Sequence, residues 1–185
     1  MYLMVEPSLF QLMQAYQRSF ADKVYQEEND DVDLLMDVFG LSSETKRENR
    51  QYWGRELGMC WQLMVDNVMK AYGKGYAPAL RIGSDEPCDM IVGNYAIDTK
   101  YRFGSGDSGT LKKLKQYGAL LIKLGYQPVC LLAREDNLAS SIAAIQGAGW
   151  LILAGDESFD FIKQQTGYDL RQYLQSNKGQ FLVNR

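Results

Sequence analysis

The stretch DMIVGNYAID, residues 89–98, constrains its own fold more tightly than any other part of the chain. Gly93-Asn94 separates two runs of aliphatic, β-branched and aromatic residues, and a two-residue loop of that chemistry closes an antiparallel hairpin. Centred between Gly93 and Asn94, the turn sets Asp89 across from Asp98. Side chains alternate along a strand, so Asp98 and Lys100 point to one face and Thr99 to the other. Directly opposed residues lie within roughly 5.5 Å at Cβ, and two like charges there repel unless something positive stands between them. A divalent cation would supply that charge, and an all-oxygen ligand set suits Mg²⁺. A merely charged, exposed hairpin is the competing expectation, because an acid two residues before a lysine recurs at Glu44-Thr45-Lys46. That copy falls at a predicted helix start, where residues i and i+2 do not share a face.

Helical periodicity governs residues 1–75. Leu9, Leu12, Met13, Tyr16 and Phe20 recur at spacings of three and four within residues 6–26, with Pro7 suited to a first turn. Residues 30–40 make a short second helix closed by Gly40. Ser42 and Ser43 can cap a long third helix over residues 44–72, whose second half is the apolar one. Trp53, Met59, Trp61, Met64 and Met69 are expected in the core. From Ala77 onward the pattern becomes that of strands, at residues 77–83, 88–92 and 95–103. An amphipathic helix follows over 110–125, with Leu111, Leu114, Ala119 and Ile122 inward and Lys112, Lys113 and Lys115 wet. A buried strand at 127–133, a helix at 137–149, a strand at 150–155 and a helical tail from 157 to 177 complete the chain. This order predicts an α/β fold, a mixed sheet with helices packed on it. Residues 1–185 read as a single domain, mainly helical over 1–75 and mixed-sheet over 76–185.

The chain has no histidine, which excludes Ser-His and Cys-His nucleophiles, a histidine general base and imidazole metal ligands. Any catalysis must run on carboxylates, lysine and hard metal ions. Three scattered cysteines, Cys60, Cys88 and Cys130, fit neither a disulfide framework nor a zinc site and read as small buried hydrophobes. No apolar run approaches the roughly 18 residues of a membrane span. No basic segment precedes the first apolar residues, as a secretory signal would require, so a cytoplasmic protein is expected. With 20 Lys+Arg against 23 Asp+Glu, a net charge of −3, the chain is not a typical free-standing nucleic-acid reader.

The segment PCDMIVGNYAIDTKYR, residues 87–102, resembles the motif of the PD-(D/E)XK nucleases, although the proline stands two residues before the aspartate rather than one. The resemblance implies an αβββαβ restriction-endonuclease-like core, here with an N-terminal helical elaboration. It makes Asp89 and Asp98 the metal-binding acids, together with the main-chain carbonyl of Thr99, and Lys100 the lysine that orients or helps activate water. IDTK followed by a Gly/Ser-rich loop is also similar to the cleavage domains of type IIS restriction endonucleases. The size and topology resemble the small cleavage subunit of a heterodimeric enzyme of that type. A larger subunit would then recognise the sequence and nick the other strand of double-stranded DNA. The resemblance implies that the N-terminal helices serve in part to dock that subunit. A self-sufficient nuclease, homodimeric and of restriction, repair or resolvase type, and an inactive nuclease-fold interaction protein are the alternatives.

Further residues are candidates by position. Glu56 stands where the family often supplies another acid from its first core helix, and a plain surface ion pair with Arg55 accounts for it equally. Arg102, Lys112, Lys113 and Lys115 form a basic strip that DNA backbone could follow, or simply a solvated face. The loop FGSGDSG, residues 103–109, is either a phosphate-approaching loop in which Ser105 contacts DNA or a plain connection.

Overall fold

A computed structural model of the chain describes residues 5–21, 32–47, 50–104 and 108–183. The elements run α1 (Glu6–Ala21), α2 (Leu34–Phe39), α3 (Ser43–Arg47), α4 (Arg50–Tyr72), β1 (Tyr76–Pro78), β2 (Met90–Val92) and β3 (Tyr95–Lys100). They continue with α5 (Ser108–Lys123), β4 (Gln127–Leu132), α6 (Ala139–Gln146), β5 (Leu151–Ala154), α7 (Asp156–Thr166) and α8 (Leu170–Ser176).

The five strands form one open mixed sheet in chain order. β1, β2 and β3 pair antiparallel, whereas β4 and β5 join parallel to β3 and to each other. Connection length explains the change: two residues suffice for the β2–β3 hairpin, but a parallel neighbour requires a crossover, supplied here by α5 and then α6. Each face of the sheet is covered. Trp53, Trp61 and Met64 of α4 pack with Phe39, Phe161, Leu174, Ile97 and Leu131 on one side. Leu114 and Leu121 of α5 pack with Ile145, Trp150, Ala96 and Cys130 on the other. All three cysteines are free and buried, as small hydrophobes are.

Several elements differ from their expected form. The first strand is confined to β1, because the chain turns tightly between Ile82 and Asp85, whose main chains exchange hydrogen bonds of 2.9 and 3.1 Å. The expected long helix is described as α3 and α4, residues 48–49 between them lying outside the described residues, and Ser42 Oγ accepts from Thr45 N at 3.1 Å at its start. The tail breaks at Gly167, whose φ of 73° ends α7. The first helix is described as far as Ala21, and its expected continuation lies outside the described residues. Met59 is 46% exposed and not in the core.

On α5 the inward stripe runs Leu111, Leu114, Gly118 and Leu121, while Ile122 is 51% exposed and Ala119 also faces out. The correction turns on Gly118. A Cβ at that position would stand 2.3 Å from Ala148 O and 2.7 Å from Trp150 Nε1. The missing side chain lets α5 approach the turn before β5 closely enough for Trp150 Nε1 to donate to Leu114 O at 2.8 Å. An apolarity pattern passes over a buried glycine, so the expected face was rotated by one residue.

Candidate active site

The β2–β3 hairpin turns at Gly93, with φ 58°, and pairs Val92 with Tyr95, Ile91 with Ala96 and Met90 with Ile97. This is the register that the Gly93-Asn94 turn predicts. One more step would set Asp89 squarely against Asp98, and there the structure departs from expectation. The Asp89 N–H donates to Ile97 O at 2.9 Å, onto a residue already opposite Met90. A regular antiparallel ladder would send the Thr99 N–H to the carbonyl of Cys88. It goes instead to Asp89 Oδ2 at 2.7 Å, and Thr99 Oγ1 donates to the same oxygen at 2.7 Å.

A helix supplies the third donor. Gln62 Nε2, from α4, donates to Asp89 Oδ1 at 2.9 Å. Gln62 carried one sequence signal, a polar amide between Trp61 and Leu63 in the apolar half of its helix. Three donors on one carboxylate fix its orientation.

Asp98 and Lys100 share a face, as strand alternation requires. Lys100 Nζ lies 2.6 Å from Asp98 Oδ2 and donates to Thr99 O at 3.0 Å. Asp98 is 7% exposed, and its Oδ2 is compensated by the ammonium charge rather than by a well-directed hydrogen bond. Burial pushes this carboxyl up, Lys100 pulls it back and Asp89 pushes it up again, leaving it at about 6. For Lys100, burial alone would lower the affinity for its proton, but Asp98 and Asp89 outweigh it and hold the ammonium above the usual lysine range. Both carboxylates therefore act on the same ammonium. Lys100 places positive charge at Asp98, while N–H and O–H donors surround Asp89.

The remaining candidates are not gathered in the same way. Glu56 accepts from Arg55 Nε at 3.1 Å, and its field acts on Tyr16, whose phenol is pushed up to about 12 by burial first and then by Cys60, Glu56 and Tyr52. Among the described residues, no three of His, Cys, Asp and Glu come together as a metal-binding group. Glu56 thus does not join Asp89 and Asp98. Gln62, six residues further on, about 9 Å along the axis and about 120° around it, is the α4 residue that bonds Asp89. Arg102 lies 3.4 Å from Asp136 Oδ2, so part of its charge is neutralised. Lys112, Lys113 and Lys115 are exposed on α5. Ser105 lies outside the described residues.

As a donor set, the carboxylates of Asp89 and Asp98 with the carbonyl of Thr99 offer only hard oxygens, which suits Mg²⁺. The Lys100 ammonium already touches an oxygen of Asp98 and the carbonyl of Thr99. No protein-family model, curated protein or solved structure matches the chain.

Proposed function

We propose that the chain is a Mg²⁺-dependent phosphodiester hydrolase acting on double-stranded DNA, and that it is the cleavage subunit of a two-subunit type IIS restriction enzyme. The observation that carries this reading is the pairing of Lys100 Nζ with Asp98 Oδ2 at 2.6 Å, with the Asp89 charge acting on both. Two acids and a protonated lysine, partly buried at the end of a hairpin, suit metal-assisted hydrolysis of a phosphodiester without histidine. The order α4, β1, β2, β3, α5, β4, with the first three strands antiparallel and β4 parallel to β3, also agrees with the PD-(D/E)XK order that the motif implies.

In this mechanism Asp89, Asp98 and the Thr99 carbonyl would hold the metal. Bound there, Mg²⁺ would supply Lewis-acid charge at the scissile phosphate. Gln62 and Thr99 hold Asp89 in place through their three hydrogen bonds. Lys100 is held protonated by both carboxylates, so it acts as a charge and a hydrogen-bond donor toward the attacking water and the phosphoryl oxygens, not as the base. Exposed Lys112, Lys113 and Lys115 would meet backbone phosphates. A net charge of −3 and the lack of a reading-head motif leave sequence recognition to a larger nicking subunit.

The test is conversion of supercoiled plasmid in Mg²⁺ by the chain alone and with a nicking large subunit encoded beside it. Linear product that needs both chains, and that is lost with Asp98→Ala, supports the cleavage-subunit reading. Robust cutting by the chain alone would replace it with a self-sufficient nuclease. No Asp98-dependent cleavage in any mixture would remove the function altogether.

A further inference from the structure

The acceptor positions at the candidate active site can be counted. A carboxylate offers about four, two on each oxygen. Asp89 Oδ2 uses both on Thr99, accepting from its N–H and from its hydroxyl at 2.7 Å each. Asp89 Oδ1 accepts from Gln62 Nε2 at 2.9 Å, which leaves it one. Asp98 Oδ2 is buried and lies 2.6 Å from Lys100 Nζ, so Oδ1 is the oxygen that Asp98 has left for a ligand. The Thr99 carbonyl accepts from Lys100 Nζ at 3.0 Å and, with two lone pairs, retains one.

Three oxygens therefore remain, one from each of three groups that Thr99 and Lys100 tie together. Mg²⁺ keeps several of its waters, so three protein oxygens are a sufficient set for one ion. For two they are not. Paired ions stand about 3.5–4 Å apart and call for oxygens that bridge them or for further acids. Asp89 Oδ1, with one position left, cannot bridge, and among the described residues no third acid joins Asp89 and Asp98. Charge sets the same limit. With both carboxyls ionised, the two acids and the Lys100 ammonium sum to −1; one divalent ion makes this +1, and a second would make it +3.

We propose that Gln62 confines the site to a single divalent cation. It is the one side chain of α4 that bonds Asp89, and toward a carboxylate it presents the N–H₂ end of its amide. A glutamate of the same shape would set an oxygen there in place of the donor and face Asp89 with like charge, a repulsion that a second cation relieves. This rests on the proposed metal dependence and adds to it the number of ions and the residue that sets that number.

The probe is Mn²⁺, which takes the same octahedral oxygen ligands as Mg²⁺ and whose unbound fraction is read from its electron paramagnetic resonance signal. It is titrated into the full chain without DNA at slightly alkaline pH. Ions are counted in excess of those held by Asp98→Asn, which subtracts binding elsewhere on the surface. Wild type should hold one such ion per chain, and Gln62→Glu two, with circular dichroism showing that the variant is folded. The wild-type count tests the limit whether or not that variant folds. Two ions on wild type, or one on folded Gln62→Glu, would overturn the proposal and leave metal-dependent cleavage standing. No Asp98-dependent ion on wild type would overturn both, so the two failures are told apart without any cleavage assay.

Discussion

The N–H and the hydroxyl of Thr99 both close on Asp89 Oδ2, each at 2.7 Å. The residue lying between Asp98 and Lys100 in sequence is thus the one that holds the other carboxylate, and the two acids are coupled through a single strand segment. Thr99→Val keeps the shape and removes only the hydroxyl donor. It should cost about 1.5–3 kcal/mol in urea unfolding, the range for a hydrogen bond to a charged acceptor, and should also lower cleavage.

Gln62 is the helix residue that fixes Asp89, so Gln62→Leu should lower cleavage by a factor of about ten or more while leaving the helix intact. Glu56→Gln should leave cleavage within about twofold of wild type, because its ion pair is with Arg55 at the surface. Parallel plasmid assays on the two variants decide which position of α4 serves the site.

Ionised Asp98 is costly to bury, and this makes a prediction about pH. Its carboxyl titrates near 3.8 when unperturbed and at about 6 in the folded chain. The folded state therefore holds this proton more tightly, an advantage that is full below about pH 4 and lost as pH rises through about 6. Asp98→Asn has nothing to ionise at that position. Its stability relative to wild type should climb by on the order of 2–3 kcal/mol between pH 4 and pH 7, as read from urea unfolding at each pH. A difference independent of pH would show that Asp98 is ionised without strain.

Gly118→Ala should destabilise the chain by about 1–3 kcal/mol even though alanine is the better helix former. The added methyl would have to displace Ala148 O or Trp150 Nε1, at 2.3 and 2.7 Å from it. Thermal unfolding checks this, with Gly54→Ala, whose Cβ would meet nothing within 4 Å, as the control expected to be neutral or stabilising.

A buried ion network ties the loop before α2 to the end of β4. Arg134 is 6% exposed, donates to Asp33 Oδ2 at 3.0 Å and Asp136 Oδ1 at 2.5 Å, and lies over the Tyr101 ring, whose hydroxyl also bonds Asp33. Arg134→Met removes the buried cation that Asp33 and Asp136 share and should cost about 3 kcal/mol or more. Arg171→Met breaks ion pairs with exposed Asp156 and Asp160 and should cost about 1 kcal/mol or less.

The hairpin and the shared face of Asp98 and Lys100 were legible in the sequence because both follow from local rules, a two-residue turn and a period of two. The break in register at Asp89 was not. It depends on a side-chain oxygen displacing a main-chain carbonyl as the acceptor for Thr99, a competition that no strand pattern records. Gln62 was missed for a related reason: it meets Asp89 across 27 residues of chain, and only the packing of α4 on the sheet brings them together. Ile122 was placed inward and Gly118 overlooked because apolarity stands in for burial, and a glycine in a close contact has none to show.

The most direct measurement is the topology of supercoiled plasmid incubated with wild type, Asp98→Asn and Lys100→Ala in the presence of the nicking subunit, each in Mg²⁺ and in EDTA. If Asp89, Asp98 and Lys100 form a metal-dependent hydrolytic site, wild type yields linear DNA only in Mg²⁺. Both variants then stop at the partner's nick, at least about a hundredfold slower. Linear product at the wild-type rate from either variant, or from wild type in EDTA, would contradict the account.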